Sequence, residues 1–386
     1  MFFFAKLISR NVLRQKLRTA LTALGIMVAI MSFGLLRTLV DAWYAGVDSA
    51  SSSRLVTRNA ISLIVSLPIS YANRIRLVDG VTGVSYASWF GGVYIDEKNF
   101  FPQFAVEGPH YFRLFPEILL AQDALTAFQR DRKGVIVGRK LMERFGWKLG
   151  DVVPLRGTIY AGTWSFVIRG VYHGATRSVD ETQFFFHWAY LNEELKKTEP
   201  NRADHAEIFF VGIDRPDRVA EVSNNIDRLF KNSLAETLTE TEKAFQLGFV
   251  AMTEAILIAI QIVSFVVIGI IMAVMSNTMA MSARERTREF ATLRALGFRP
   301  SRIALLIFGE SVTIAVVAGL AGILATFPAV DLIARTLSNY FPVFVLSETT
   351  QLMSVVAAVI VGIVAAIFPT WKAVREPVVE GLRSVG

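Results

Sequence analysis

The sequence of 386 residues contains no cysteine. This absence excludes disulfides, thiolate metal sites and a cysteine nucleophile. No phosphate-binding loop of the form G-x-x-x-x-G-K-[ST] and no G-x-S-x-G nucleophile motif occurs anywhere in the chain. The four histidines are scattered without the spacing of metal ligands, at His110, His173, His187 and His205. We therefore expect this chain to carry no catalytic residue, no metal site and no cofactor of its own.

Long charge-free runs are what the sequence has in abundance. With 53% hydrophobic residues and a mean hydropathy of +0.45, it is too apolar for an ordinary soluble enzyme and too charged to lie wholly in a membrane. The apolar runs predict four transmembrane helices, and we expect the first to be retained rather than cleaved. The predicted spans cover residues 19–40, 251–281, 302–327 and 351–369.

Between the first two predicted spans lies a long water-facing region, residues 41–250, with a short loop at 328–350 between the last two. The long region has strand-like runs, among them Ile61–Leu67, Phe184–Leu191 and Glu207–Ile213, with the aromatic runs expected in the core. An apolar helical face follows Pro216, and the polar stretch before the second span is a candidate stalk. The predicted fold is therefore membrane α-helical, with a mixed α+β domain inserted between helices 1 and 2.

The distribution of basic residues predicts the orientation. Segments 1–18, 282–301 and 370–386, extended by Arg302, hold fourteen basic against four acidic residues, a larger net charge than the +7 of the whole chain. The positive-inside rule makes these segments cytoplasmic and the large domain periplasmic. Segment 1–18 has the composition of an amphipathic helix on an anionic membrane surface. We expect a multi-pass protein of the bacterial inner membrane that contacts membrane lipid and has no nucleic-acid partner.

The loop between the second and third spans has a pattern beyond its charge. Phe290, Leu293 and Leu296 recur at helical spacing, and arginines surround that apolar edge. Gly297 fits the C′ position of a helix, where Phe298 can fold back on Leu293. This pattern predicts a short docking helix, although an anchor to anionic lipid would explain the arginines alone. Glu285 and Glu289 are expected to pair with Arg286 or Arg288.

One carboxylate, Glu310, lies about two turns into the third predicted span. Such a charge is costly in a membrane unless it is paired. A polar contact with Arg302 or across a subunit interface, and a carboxylate that snorkels to the headgroups, are both open readings. Small residues at Gly269, Gly319 and Gly362 would permit close helix packing within or between subunits.

Three separated stretches, Arg10–Ile30, Arg286–Ser311 and Phe368–Arg383, resemble the MacB/FtsX-type permease family of ABC transporters. Gly134–Leu155 and Phe166–Tyr172 are similar to the periplasmic core of that family. The resemblance implies a dimer of four-span permease subunits, identical or different, driven by a separate cytoplasmic ATPase dimer that binds ATP and Mg²⁺. It also implies a periplasmic adaptor and an outer-membrane channel as partners.

The resemblance further implies that the loop is the coupling helix that docks on the ATPase. The residues expected in this role are Arg284, Arg286, Arg288, Glu289, Phe290, Leu293, Arg294, Leu296 and Gly297, with Glu310 as an intramembrane polar residue. Export of a hydrophobic small molecule, a lipid or a lipoprotein by mechanical transmission is the expected function. A non-transporting relay that regulates a cell-wall hydrolase or senses an antibiotic is the alternative.

Overall fold

Four long apolar helices and one large mixed sheet make up the computed structural model of the chain. The structure describes residues 14–176, 178–337, 341 and 343–375. The predicted amphipathic segment 1–18 lies mostly outside the described residues. The chain divides into a membrane unit, which comprises residues up to 42, 254–336 and 344 onward, and an outer unit, which comprises 43–253 and 337–343.

The helices are α1 (Lys16–Ser49), α2 (Ser70–Ile75), α3 (Tyr111–Leu114), α4 (Gln122–Arg130), α5 (Arg139–Phe145), α6 (Trp188–Thr198), α7 (Val219–Leu229), α8 (Glu242–Ala251), α9 (Glu254–Glu285), α10 (Thr287–Ala295), α11 (Pro300–Leu337) and α12 (Glu348–Arg375). The strands are β1 (Arg54–Asn59), β2 (Leu67–Pro68), β3 (Val81–Trp89), β4 (Gly92–Val93), β5 (Gln103–Val106), β6 (Ile118–Leu120), β7 (Gly134–Gly138), β8 (Val152–Gly157), β9 (Gly162–Gly174), β10 (Phe184–His187), β11 (His205–Ala206), β12 (Ile208–Ile213) and β13 (Thr237–Thr241).

Helices α1, α9, α11 and α12 are long and apolar enough to cross a membrane, which confirms the predicted four-span fold class. Their shared core contains Ile30, Phe33, Met275, Ile307 and Val361. Each of these side chains is almost completely buried. The outward faces of the same helices remain apolar, as expected for elements whose solvent is lipid.

Small residues bring the membrane helices close together. A Cβ placed on Gly319 of α11 would collide with the side chain of Ala358 of α12, and one on Gly362 would lie 2.9 Å from the Ala315 side chain. A Cβ on Gly322 would lie 2.7 Å from the carbonyl oxygen of Met27. The prediction of close packing therefore holds at Gly319 and Gly362. Gly269 makes no such contact within the chain, because a Cβ there would have no neighbour within 4 Å, and its packing between subunits stays a prediction.

The outer unit is organised around an eleven-stranded sheet in the order β13-β1-β12-β3-β5-β10-β7-β9-β8-β4, with β6 paired to β9. The pairs β10/β5 and β7/β9 are parallel and the remaining pairs are antiparallel. This mixed sheet with helices packed on it confirms the predicted α+β class. In α7, Val222 and Ile226 are fully buried with Phe230, as the apolar face after Pro216 predicts.

Two predicted strands are partly wrong. Most of Ile61–Leu67 forms turns, because Asn59 Oδ1 and Ser62 Oγ accept the backbone N–H groups of Ile61 and Ile64. The Ile64 side chain is 92% exposed as a result. The strand predicted over Phe184–Leu191 ends at His187, and helix α6 follows because Trp188, Leu191 and Leu195 form a buried helical stripe. Phe184, Phe185 and Phe186 are fully buried, as predicted.

Candidate functional site

The loop between α9 and α11 contains the short helix α10, which ends as the sequence predicts. Gly297 has a φ of +89°, its N–H donates to the Arg294 carbonyl at 3.0 Å, and the Phe298 N–H donates to the Leu293 carbonyl at 3.0 Å. These two bonds define a Schellman motif with glycine at C′. The turn stops α10 and allows α11 to begin at Pro300.

The apolar edge predicted on α10 is divided between two environments. Phe290 is only 4% exposed and packs within the helical core of the membrane unit, where Leu293 also contacts the cluster. Leu296 is 72% exposed. Phe290 and Leu293 thus anchor α10 to its own helical bundle, so Leu296 is the apolar side chain of the predicted edge that is left for a partner.

The arginines of the loop also fall into an exposed group and a group that contacts the helical bundle. Arg284 and Arg288 are exposed on α9 and α10, and Arg299 is exposed in the turn before α11. Arg294 donates from Nη1 to the Val374 carbonyl of α12 at 3.3 Å. Arg286 is mostly buried and points to the interior. The exposed side chains of the loop and its flanks therefore include these three cations and Leu296.

Arg286 is the partner of the intramembrane carboxylate. Its Nη1 donates to Oε2 of Glu310 at 2.8 Å, and its Nε donates to Oε2 of Glu289 at 3.1 Å. Glu310 is 7% exposed. The sequence left open a contact with Arg302, a contact across a subunit interface and a carboxylate that snorkels to the headgroups. Within the chain the partner is Arg286, and the guanidinium of Arg302 lies instead over the Phe298 ring at 5.9 Å.

The first turn of α1 and the two residues before it contribute a second set of polar contacts. Arg18 donates from Nη2 and Nη1 to the two carboxylate oxygens of Glu285 at 2.7 and 2.9 Å. Gln15 donates to Glu285 at 2.5 Å, and Arg14 pairs with Glu289. Of the predicted acid partners, only the Glu289–Arg286 pair occurs. The sequence predicted lipid contact for Arg14 and Arg18, because pairing across 275 and 267 positions leaves no local pattern.

Glu289 connects the two sets of ion pairs. Burial disfavours its charged form, but hydrogen bonds from Arg14 and Arg286 outweigh that effect and hold the pKa of Glu289 below its ordinary value. Arg14 lies just before α1, Arg18 lies in the first turn of α1, Glu310 belongs to α11, and Glu285 ends α9. Ion pairs thus tie the loop to α11 and to the residue before α1, and the Arg294 hydrogen bond ties it to α12. The Arg18–Glu285 pair joins α1 to α9.

A polar cavity of about 180 Å³ lies beneath this network. Its wall includes Arg18, Thr22, Ser282, Arg286 and Glu310. Each acid in the wall is paired with a cation, so the cavity is close to electrically neutral.

Three of the four histidines lie close to separate local partners. His187 Nε2 lies 2.7 Å from the Phe128 carbonyl, His205 Nδ1 lies 2.6 Å from the Ala203 carbonyl, and His110 Nδ1 lies 2.7 Å from Glu107. Within the described ranges, no group of three or more metal-ligating side chains that could hold an ion is found.

Two family models match the chain. The MacB-like periplasmic core domain matches residues 19–229, which is more than half of the sequence. The FtsX-like permease C-terminal model matches residues 261–378, and this range includes α10, Arg286 and Glu310. Together they cover the membrane helices and most of the outer unit.

Curated relatives match over shorter stretches. An uncharacterized ABC transporter permease of Bacillus subtilis, YvrN, is 32% identical over 108 residues, which is 28% of this chain and 25% of that protein. The macrolide export ATP-binding/permease protein MacB of Psychrobacter arcticus is 31% identical over 151 residues, 39% of this chain and 21% of that protein. The aligned part of this chain therefore spans only about a quarter of these relatives.

Solved structures resemble the outer unit distantly. The periplasmic region of MacB from Actinobacillus actinomycetemcomitans is 12% identical with a TM-score of 0.38, over 53% of this chain and 95% of that one. The extracellular domain of the noncanonic ABC-type transporter YknZ from Gram-positive bacteria is 16% identical with a TM-score of 0.36, over 49% and 100%. The two family models, rather than these low scores, establish the relationship.

Proposed function

The chain belongs to the MacB/FtsX-type family of ABC transporter permeases, and from that membership we propose that it is the membrane subunit of an ATP-driven exporter. In this proposal a cytoplasmic ATPase dimer binds ATP and Mg²⁺ and docks on α10. The chain itself transmits motion and catalyses no step. The relatives named as macrolide exporters support a hydrophobic small molecule as cargo, with a lipid or lipoprotein as related choices.

The observation that carries the proposal is that part of the loop is buried and part is exposed. Phe290 is buried in the helical bundle, whereas Arg284, Arg288 and Leu296 are exposed. A helix held firmly on one face and offering cations with an apolar side chain on the other suits an acidic, partly apolar receptor groove. A loop that only anchored the chain to lipid would not require the rigid Schellman motif at the end of α10.

The ion pairs supply the path for transmission in this mechanism. A pull on α10 reaches α11 through Arg286 and Glu310, and reaches α1 through Glu289 and Arg14. Buried charges that lose their partner are costly, so these helices move together rather than separate. Helix α1 leads along the chain into β1, and α8 leads into α9, so the outer unit receives the motion through the same helices.

The proposal places both chain termini and α10 in the cytoplasm of a bacterium, with the outer unit in the periplasm. Cargo would be taken from the periplasm or from the outer leaflet. Glu310 is neutralised by Arg286, which favours mechanical transmission over a polar tunnel through the spans. A second permease subunit, an adaptor and an outer-membrane channel complete the proposed assembly.

The test is co-purification of the chain with ABC ATPases from its own organism, followed by substitution on the exposed face. Arg288→Glu and Leu296→Asp should each abolish ATPase retention while leaving the permease folded. Arg215→Glu, an exposed arginine of the outer unit, is the matched control and should retain the ATPase. Retention of the ATPase by both loop variants would overturn the docking site.

The exporter and the relay differ in their outer partners. An exporter should co-purify with an adaptor and drive ATP-dependent transfer of cargo from reconstituted membranes. A relay should instead co-purify with a cell-wall hydrolase and show no transfer, and that result would replace the exporter proposal.

A further inference from the structure

A small hollow on the surface of the membrane unit lies between the ends of α9 and α12. Its volume is about 10 Å³, which is room for one oxygen-sized atom rather than for a whole side chain. Two cations and four small or rigid residues form most of its wall: Arg284, Lys372, Ala280, Ala283, Pro369 and Ala373. No carboxylate is among the residues that line it.

Lys372 is the least expected side chain in this hollow. It is half-buried, yet it makes no hydrogen bond and no ion pair with any residue that the structure describes. Arg284 is exposed on the opposite wall and is equally unpaired within the described ranges. Glu285, the residue next to Arg284, is occupied by Arg18. The hollow therefore presents two uncompensated cations, and a cation that is partly withdrawn from water favours an anionic partner.

Two aromatic side chains beside Lys372 indicate the depth of the hollow. Phe368 is 54% exposed and Trp371 is 52% exposed, and their ring centroids lie 6.4 Å apart. The Arg375 guanidinium lies over the Trp371 ring at 4.4 Å. Exposed tryptophan and basic side chains at the end of a spanning helix are typical of the membrane–water interface. The hollow therefore lies at the level of the phospholipid headgroups.

An apolar stripe continues from the hollow into the membrane. Phe368 and Val364 precede Lys372 by one and two helical turns on the same side of α12, and Val364 is 42% exposed. Basic pockets between membrane helices on the cytoplasmic side are typical sites for anionic lipids. The geometry points to a binding site for one anionic phospholipid, with a phosphate oxygen in the hollow between Lys372 and Arg284. One acyl chain lies along Phe368 and Val364.

A carboxylate of the proposed ATPase is the competing occupant, because Arg284 also belongs to the exposed side chains of the loop. An acidic side chain of a soluble protein would neutralise the cations, but it would leave the apolar stripe beside them without a matching surface. A phospholipid matches both the cations and the stripe.

The site rests on the proposed topology for its assignment to the cytoplasmic leaflet, and it does not depend on an ATPase. The test uses the purified full-length chain in detergent, offered equal amounts of dioleoylphosphatidylglycerol and dioleoylphosphatidylcholine, with retained lipid counted by native mass spectrometry. The wild-type chain should retain phosphatidylglycerol preferentially. Lys372→Gln should lower that preference about fivefold, the effect of one cation near a membrane surface. Lys372→Arg should keep it.

Phe368→Ala should lower retention of both lipids, because it removes part of the apolar stripe that their acyl chains share. Arg299→Gln removes an exposed cation outside the hollow and should change nothing. Equal retention of the two lipids by the wild-type chain, or an equal effect of Arg299→Gln and Lys372→Gln, would overturn the site.

Three further outcomes would overturn the lipid site in favour of another occupant. Release of the lipid by inorganic phosphate, but not by chloride of equal ionic strength, would assign the hollow to a soluble anion. Loss of ATPase retention in Lys372→Gln with lipid retention unchanged would assign it to the ATPase. Efficient disulfide cross-linking of two Phe368→Cys chains in native membranes would assign it to a second copy. Because the lipid measurement contains no ATPase, failure of the coupling proposal would leave its result unchanged.

Discussion

Arg54, at the start of β1, donates from Nε to Oε2 of Glu242, the first residue of α8, at 2.8 Å. The guanidinium is 3% exposed, donates to Glu117 at 2.5 Å and stacks over the Phe115 ring at 3.8 Å. β1 is the first strand after α1, and α8 is the last helix before α9. One buried ion pair in the outer unit thus joins the two ends of the chain that lead to the membrane.

The first prediction concerns this pair. Arg54→Ala should destabilise the outer unit by about 3 to 5 kcal/mol, because it leaves buried carboxylates without a cation. The double variant Arg54→Met with Glu242→Leu should lose less than Arg54→Ala. Arg58 lies on β1 like Arg54, but its pair with Glu240 of β13 is more exposed. Arg58→Ala should therefore cost less than about 1 kcal/mol. Urea unfolding followed by tryptophan fluorescence measures all three, and similar losses for Arg54 and Arg58 would contradict the prediction.

A double-mutant cycle tests the pair between the loop and α11. Arg286→Met should destabilise the detergent-solubilised chain by about 3 kcal/mol, because Glu310 is left buried and charged. Adding Glu310→Leu should recover most of that loss. If the pair transmits motion, the stable double variant should still bind the ATPase yet lose cargo transfer. Strictly additive effects of the two substitutions on stability would show that the side chains do not interact.

Gly319 and Gly269, two glycines in membrane helices, provide a matched test of helix packing. Gly319→Leu should destabilise the membrane unit by about 1 to 3 kcal/mol or more, because its side chain has to displace Ala358. Gly269→Leu meets open space and should be neutral or slightly stabilising, since glycine disfavours helix. Thermal unfolding in detergent distinguishes them. Equal behaviour of the two variants would contradict the packing of α11 on α12.

The topology can be tested with single cysteines, since the natural chain has none. Leu234 is fully exposed in the outer unit, and Thr292 is exposed on α10. In intact cells with a permeable outer membrane, a membrane-impermeant maleimide should label Leu234→Cys and should label Thr292→Cys only after lysis. The reverse pattern would invert the proposed orientation.

Acidification should weaken a cluster around Arg218. Its hydrogen bond to Asp79 at 2.6 Å holds the pKa of that carboxyl below the ordinary 3.8, and its bonds to Glu221 hold that pKa below 4.5. Depressed pKa values mean that the folded state binds fewer protons, so the stabilisation is complete above these ordinary values and is lost as the pH falls below them.

Arg218→Gln should therefore lower stability at about pH 6 and cause a much smaller difference at about pH 3. Urea midpoints at the two pH values measure this, with Arg215→Gln as the control. A difference that stays constant down to about pH 3 would assign the role of Arg218 to packing instead.

Local patterns predicted much of this protein because their causes are local. Charge-free runs of membrane length can satisfy their backbone only as helices in lipid, so the four spans follow from the sequence. Gly297 predicted the end of α10, because a left-handed φ at C′ strongly favours glycine. Most of the strand predicted at Ile61–Leu67 does not form, because the side chains of Asn59 and Ser62 accept hydrogen bonds from the local backbone. The hydropathy pattern carries no information about these side-chain hydrogen bonds.

The sequence by itself determined the membrane class, the mixed outer unit, the family resemblance and a basic loop with an apolar edge. Only the tertiary structure decided how that edge is used, since burial of Phe290 depends on helices far apart in the chain. The same holds for the partners of Glu310 and Glu285, where the pairing residues are separated by 24 and 267 positions. Charge predicts that such groups need partners, but only the packing of helices determines which ones they meet.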